Sequence, residues 1–293
     1  AASITELRQQ TTDYRLQTTD HRLPSSPCAM RHAPCDQLTT QQTSGNKQYP
    51  AISARPASKV RATFFILGWL AERLPGLVRE IRARGHEVAS HGNCHELCTA
   101  QNEKSLLQDL QDSKKLLEDI CGAQLVGYRA PSFSINKEVL RLIRQSGYGY
   151  DSSYNSFAWH ERYGKIHFNG APKEGLAYRL EQDFFELPIS NLKVKGRVFP
   201  LGGGGYFRLL PELLFIKGVG KILKAEKGYV FYMHPWEVDP EQPRVSRAPL
   251  KYRFRHYINL NKTADRLQRL INAFPSCRFV TCSEYLGLAP RIQ

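Results

Sequence analysis

A chain of 293 residues, 41% hydrophobic and 23% charged, can bury the core of one large α/β domain or two smaller ones. No apolar run reaches the roughly eighteen residues of a spanning helix, so no membrane segment is expected. The start, AASITELRQQTTDYRL, has no apolar signal core, and a cytoplasmic location follows as the expectation. The formal charge of +14 invites a polyanion, yet acidic residues are spread among the basic ones. The densest basic stretch, RVSRAPLKYRFRHY at 244–257, reads as a solvated surface, and no nucleic-acid partner is expected.

Residues 1–58 are rich in Thr, Gln, Ser, Pro and Arg and contain a near-repeat, TTDYRL at 11–16 and TTDHRL at 18–23. Such a segment cannot bury enough apolar area to offset its ordering entropy. It reads as disordered or non-native, in front of a domain over 59–293. The domain opens on VRATFFIL, the pattern of a buried strand. WLAERLPGLVREIRARG then places Leu70, Leu74, Leu77, Val78 and Ile81 on one helical face ended by Gly85. EVAS is a short strand that delivers SHGNCHE. Asn102 caps a helix to Cys121, striped by Leu106, Leu107, Leu110, Leu116, Leu117 and Ile120. LVGYRAP is a strand, 137–145 a helix and YGYDSS a strand. After a loop-rich middle come FFELP, VFPLGGGGYF, a helix over 210–225, the strand YVFYMH, a helix over 263–273 and the strand RFVTC. This alternation predicts a parallel sheet, closed or open, with chemistry gathered where strands end.

Polar residues stand at those strand ends: His91 after EVAS, Arg129 after LVGY, Asp151 after YGY and His234 after YVFYM. His91 and His95 are spaced to reach one divalent ion, though a catalytic site wants a third ligand and an open position. If this segment were helical, His91, Cys94, His95 and Cys98 would share a face, and with Cys277 and Cys282 a structural zinc site is an alternative. The seven cysteines, at 28, 35, 94, 98, 121, 277 and 282, otherwise read as reduced thiols. Arg129 can orient a carboxylate, and the backbone after Pro131 can serve an oxyanion. His234 can protonate a leaving amine. GGGGYF at 202–207 lacks the Lys-Ser/Thr of a phosphate loop and reads as close backbone approach or a tight reversal. Trp159, Tyr206, Phe207 and Trp236 are aromatics able to stack on sugar faces.

ATFFILG, RARGHEVASHGNCHE, YRAPSFS, YDSSYNSFAW and YMHPWE, in this order over about 58–288, resemble the motifs of the polysaccharide deacetylase family, the NodB-homology domain of carbohydrate esterase family 4. PLGGGGYFRLLP and YRFRHYINL look like its exopolysaccharide- and exosortase-associated branch. The resemblance implies a distorted (β/α) barrel, a divalent metal such as zinc on His91 and His95, and hydrolysis of acetyl groups from an N-acetylated polysaccharide or oligosaccharide. It also implies that Arg129 holds the base ionised, Ser132 donates its N–H to the oxyanion, Asp151 tunes the acid and His234 protonates the amine. The family opens with a strand ending in Thr-Phe-Asp-Asp-Gly or Phe-Asp-x-Glu, which supplies the base and a carboxylate ligand. Nothing in this chain matches it, so the first strand and helix are expected to be absent or replaced. A glycan-binding homologue without turnover is the alternative reading.

Overall fold

The computed structural model describes residues 60–157, 166, 168 and 170–288, all in the unit that spans Ser58–Gln293. The expectations for residues 1–58, with Cys28, Cys35 and the absent first strand and helix, lie outside the described residues, as does Trp159.

The apolar run after Val60 forms β1, Thr63–Ile66. One helix is expected next, but there are two, α1 at Gly68–Arg73 and α2 at Pro75–Ala83. Pro75 has no N–H to donate, and its ring drives Leu74 out of the helical region to φ −128°, ψ 52°. β2, Glu87–Ser90, runs parallel to β1 in a register that sets Thr63 against Glu87 and Ile66 against Ser90. α3, Glu103–Cys121, begins where Asn102 Oδ1 accepts the Ser105 N–H at 2.9 Å and stops at Gly122 in the left-handed region. Its stripe buries Leu106, Leu110 and Leu117, each contributing roughly 2 kcal/mol by leaving water.

β3 (Gly127–Tyr128), α4 (Lys137–Gln145, capped by Asn136) and β4 (Tyr150–Asp151) follow as predicted in kind, though the strands are short. The loop-rich middle contributes β5 (Lys173–Glu174), β6 (Ala177–Glu181) and β7 (Phe184–Glu186). A two-stranded hairpin follows, β8 (Leu192–Val194) with β9 (Arg197–Phe199). The main sheet runs β1-β2-β3-β4-β7-β6-β5, parallel as far as β7 and antiparallel beyond. Past β7 the Ser190 N–H bonds the Val230 carbonyl at 3.3 Å, and Tyr232 bridges in parallel to Gly203. At the other edge Val60 bridges in parallel to Phe279. The architecture is a mostly parallel α/β sheet with helices, consistent with a distorted barrel.

The helix expected over 210–225 is α6 (Glu212–Glu226), and an unpredicted short helix, α5 (Gly204–Leu209), precedes it in the glycine run, the two parted before Pro211. YVFYMH and RFVTC form no ladder strands among the described residues and pair through the isolated bridges of Tyr232 and Phe279 and single backbone bonds such as Ser190 to Val230. The basic stretch contains an unpredicted helix, α7 (Leu250–Tyr257), and α8 (Leu260–Asn272) begins three residues before the predicted start. α9 (Cys282–Tyr285) closes the described chain behind a Thr281 capping box. Among the described residues no helix is long and apolar enough to cross a membrane.

Candidate active site

The parallel strands deliver their polar residues to one rim. β2 ends at Ser90, and the His91 N–H bonds the Ile66 carbonyl at the end of β1. β3 ends at Tyr128, and the Arg129 N–H bonds the Ser90 carbonyl. The chain after His91 turns away at Gly92, where φ is +75° and an added Cβ would stand 2.8 Å from Asp109 Oδ2. This segment is not helical, so the shared face proposed for His91, Cys94, His95 and Cys98 does not arise. Cys98 is buried against the Tyr128 hydroxyl at 3.3 Å. Burial pushes its thiol up to about 12 and that of Cys282 up to about 11. Among the described residues no group of three or more His, Cys, Asp or Glu could hold a metal ion, so the structural zinc alternative is not built by them.

His91 and His95 lie together, ring centroids 5.1 Å apart and 72° inclined. His91 Nδ1 is 2.6 Å from the Arg129 carbonyl oxygen. That bond makes Nδ1 the protonated nitrogen and leaves Nε2 with its lone pair. Burial first, then the neighbouring His95, push the His91 pKa down to about 3, with Arg129 and His234 adding to the effect against the pull of that hydrogen bond. A neutral imidazole oriented through a carbonyl is the form that binds a metal. The pair thus fits two positions of a divalent-ion site. Among the described residues no third His, Cys, Asp or Glu joins them, so these residues alone do not complete the ligand set.

Arg129 is held under the site. Its Nε donates to the Ser152 carbonyl and its second terminal nitrogen to Ser152 Oγ, both at 2.7 Å. The guanidinium carbon lies 4.0 Å from the Phe65 ring centroid. Burial lowers its pKa, with no effect on its charge at neutral pH. Ser132 occupies the 3₁₀ segment Pro131–Phe133 at φ 52°, and Phe133 follows at φ 57°. With His95 at φ 59°, three non-glycine residues near this rim sit in the left-handed region, conformations that cost energy and gather at functional sites. As a first-turn residue, Ser132 has an N–H with no helical acceptor.

Asp151 is fully buried at the end of β4 and accepts Ser153 Oγ at 2.7 Å and the Ser153 N–H at 3.1 Å. It faces a residue that sequence reasoning missed, Glu186, also fully buried, whose Oε1 accepts the Tyr154 N–H at 2.8 Å. Glu186 Oε2 has no hydrogen-bond partner among the described residues. Burial raises both carboxyls, Glu186 well above its ordinary value, and the Asp151 charge raises Glu186 further. Both shifts run toward the neutral form, and in this facing pair the stronger rise at Glu186 favours the proton there.

The carboxylate beside His234 is Glu237, with Oε2 3.7 Å from His234 Nδ1 and 2.9 Å from the His234 N–H. Glu237 is buried and paired with an equally buried Arg208 at 3.2 Å. Burial works to raise its pKa, but His234 and Arg208 outweigh it and hold the carboxyl below its ordinary value. Trp236 stacks on His256 at 4.2 Å and stands 5.7 Å from His234. Gly204 is required here, because a Cβ would lie 2.1 Å from Glu237 Oε2. Close approach is therefore what the glycine run provides. Tyr206 edges onto Phe157, centroids 5.8 Å apart. The signal for Glu237 was present in YMHPWE, where the N3 carboxylate of a capping box is visible once His234 is taken as the cap.

The rim thus gathers a bis-imidazole face, an arginine and a carboxylate-backed histidine. The polysaccharide deacetylase family model matches residues 52–150, and the model of a domain of unknown function, DUF3473, matches 152–287. Over residues 52–150 the chain is thus similar to polysaccharide deacetylases. It is 32% identical over 90 residues to a peptidoglycan-N-acetylglucosamine deacetylase of Bacillus cereus, covering 31% of this chain and 42% of that one. It is 29% identical over 166 residues to a peptidoglycan deacetylase of Helicobacter pylori, covering 53% and 52%. The chain thus spans about half or less of these relatives. The crystal structure of a CE4 family pseudoenzyme from Bacillus anthracis is similar over 78% of this chain and 56% of that one, at 14% identity and TM-score 0.44.

Proposed function

We propose that the chain is a metal-dependent deacetylase for N-acetylated sugars of a polysaccharide, an exopolysaccharide in the first instance. The observation that carries this reading is the His91–His95 pair, with His91 neutral and oriented by the Arg129 carbonyl. A divalent ion, zinc by the imidazole chemistry, would be held by His91 and His95 and would supply Lewis acidity toward the acetyl carbonyl. The Ser132 N–H is offered to the developing oxyanion. Glu237 orients His234 through Nδ1, so that Nε2 can give its proton to the departing amine. Arg129 fixes His91 through its carbonyl, and Asp151 with Glu186 holds the β4 end in place.

No carboxylate among the described residues joins His91 and His95 as a third ligand. Asp109 accepts the Asn93 N–H at 3.0 Å, Asp151 and Glu186 serve each other, and Glu237 serves Arg208. Turnover would draw its general base from a carboxylate outside these pairs. The same observation favours a second reading, a glycan-binding homologue that does not cleave. Metal analysis together with acetate release from N-acetylglucosamine oligomers separates the two. One divalent ion per chain, lost in His91→Ala/His95→Ala, with chelator-sensitive acetate release, is the expected result. Oligomer affinity that survives chelation without turnover favours the second reading. Absence of both metal and glycan affinity overturns the proposal.

A further inference from the structure

A cavity of about 20 Å³ adjoins the candidate site, lined among others by Asn155, Asn191, Tyr206, Tyr232 and Arg255. That volume admits one small polar group and not a sugar ring. Tyr232 forms the shared wall, its ring 6.3 Å from His234 and 5.0 Å from Phe133 in the Ser132 turn. A substituent in the cavity would therefore belong to a glycan lying across the His234 side of the site.

The polar groups around this cavity are unbalanced in charge. Asn155 Oδ1 is already occupied, accepting the Phe157 N–H at 3.1 Å and Asn191 Nδ2 at 2.8 Å. Asn191 Nδ2 also reaches Ser156 Oγ at 3.1 Å. These bonds set the orientation of the Asn155 amide and leave its NH₂ as a donor with no partner among the described residues. Arg255 likewise forms no ion pair among them. The Arg208 guanidinium, close enough to feel Arg255, is of like charge and consumes Glu237. A cation without a counter-ion, an amide NH₂ and a phenol around a space the size of one planar group are the complement of a carboxylate, which a guanidinium fork meets in two bonds. A chain of formal charge +14 also concentrates polyanionic glycans at its surface.

We propose that this cavity is a subsite for a carboxylate carried by the glycan, with Arg255 and Asn155 as its donors, so that the substrate is an acidic polysaccharide. The inference rests on the deacetylase reading above, in that it places the carboxylate on the same glycan as the acetamido group.

The test uses the full chain and three oligosaccharide probes of equal length, with affinity measured by calorimetry at one ionic strength. The probes are neutral N-acetylglucosamine oligomers, oligomers alternating N-acetylglucosamine with glucuronic acid, and N-acetylglucosamine oligomers bearing carboxyethyl ethers. A preference of about tenfold or more for one acidic probe over the neutral one is expected, the size of one charge-assisted contact. The probe that wins identifies which carboxylate source the cavity takes. Arg255→Gln and Asn155→Ala should each remove that preference and leave neutral affinity unchanged. Lys251→Gln, an exposed cation one turn earlier on α7, should keep it. Equal loss in Lys251→Gln and Arg255→Gln would mean general charge attraction and overturn the subsite. Neutral binding without acidic preference overturns the subsite alone. Failure to bind any probe overturns the glycan reading itself.

Discussion

Residues 60–151 and 152–288 are built on different principles, although one sheet joins them across β4 and β7. The first region is regular. Its strands alternate with helices, Asn102 and Asn136 cap two of them, and apolar stripes supply the core. Its site residues follow from strand register, since β2 and β3 end side by side and therefore present His91 and Arg129 side by side. The second region has antiparallel ladders in β5–β7 and β8–β9, but around its site residue it pairs through isolated bridges and holds that residue by buried charge. His234 stands where it does because Glu237 and Arg208 are paired beneath it, with Arg208 also donating to the His256 and Ile258 carbonyls at 2.8 and 3.1 Å. Where backbone pairing positions a residue, the surrounding chain tolerates change. Where a desolvated ion pair positions it, one substitution removes the support.

The sharpest way to break this comparison is Glu237→Leu. It leaves Arg208 charged and buried, and the expected loss is about 3–5 kcal/mol of stability by denaturant titration. The double variant Glu237→Leu/Arg208→Met should recover much of it, and failure to recover would mean that packing rather than charge holds the loop. Next is His234→Ala, which removes the acid and keeps the pair. If the chain turns over acetylated oligomers, the rate should fall about 10²- to 10⁴-fold with little change in melting temperature. In the regular region, Asn102→Ala should cost only about 1 kcal/mol, the worth of one N-cap, and should leave metal content unchanged.

The smallest effect is a pH dependence. The Glu186 carboxyl is raised in the fold above its unfolded value by burial and by Asp151. Its contribution is therefore complete below the unfolded carboxyl pKa of about 4.3 and is lost as pH rises toward the folded value. Glu186→Gln keeps an NH donor toward Asp151 and cannot ionise. Its stability curve should lie within about 1 kcal/mol of wild type at pH 4 and fall less steeply above it. Parallel curves would show that Glu186 is ionised in the fold and that the shared proton is absent.

Much of the first region was legible from residues alone. Helices capped by Asn102 and Asn136 and the strand Thr63–Ile66 declare themselves through local spacing and side-chain caps. The proline break at Pro75 is equally visible, yet the apolar stripe continues through it and reads as one helix. The second region was less legible because its determinants pair across long separations. Tyr229–Phe231 reads as a strand, yet only Tyr232 is bridged, against Gly203. Glu186 reads as an ordinary strand residue until Asp151 is placed opposite it, and Leu250–Tyr257 reads as a basic surface until Arg208 binds its C-terminal carbonyls.

What the sequence by itself determined is the set of strand-end residues, because alternation of period two and 3.6 shows where each strand must stop and hence which polar side chain stands there. What only the tertiary structure decided is the protonation and orientation of those side chains. The neutral state of His91, the raised carboxyl of Glu186 and the carboxylate behind His234 depend on desolvation and on partners from separate segments, and no local pattern of residues carries that information.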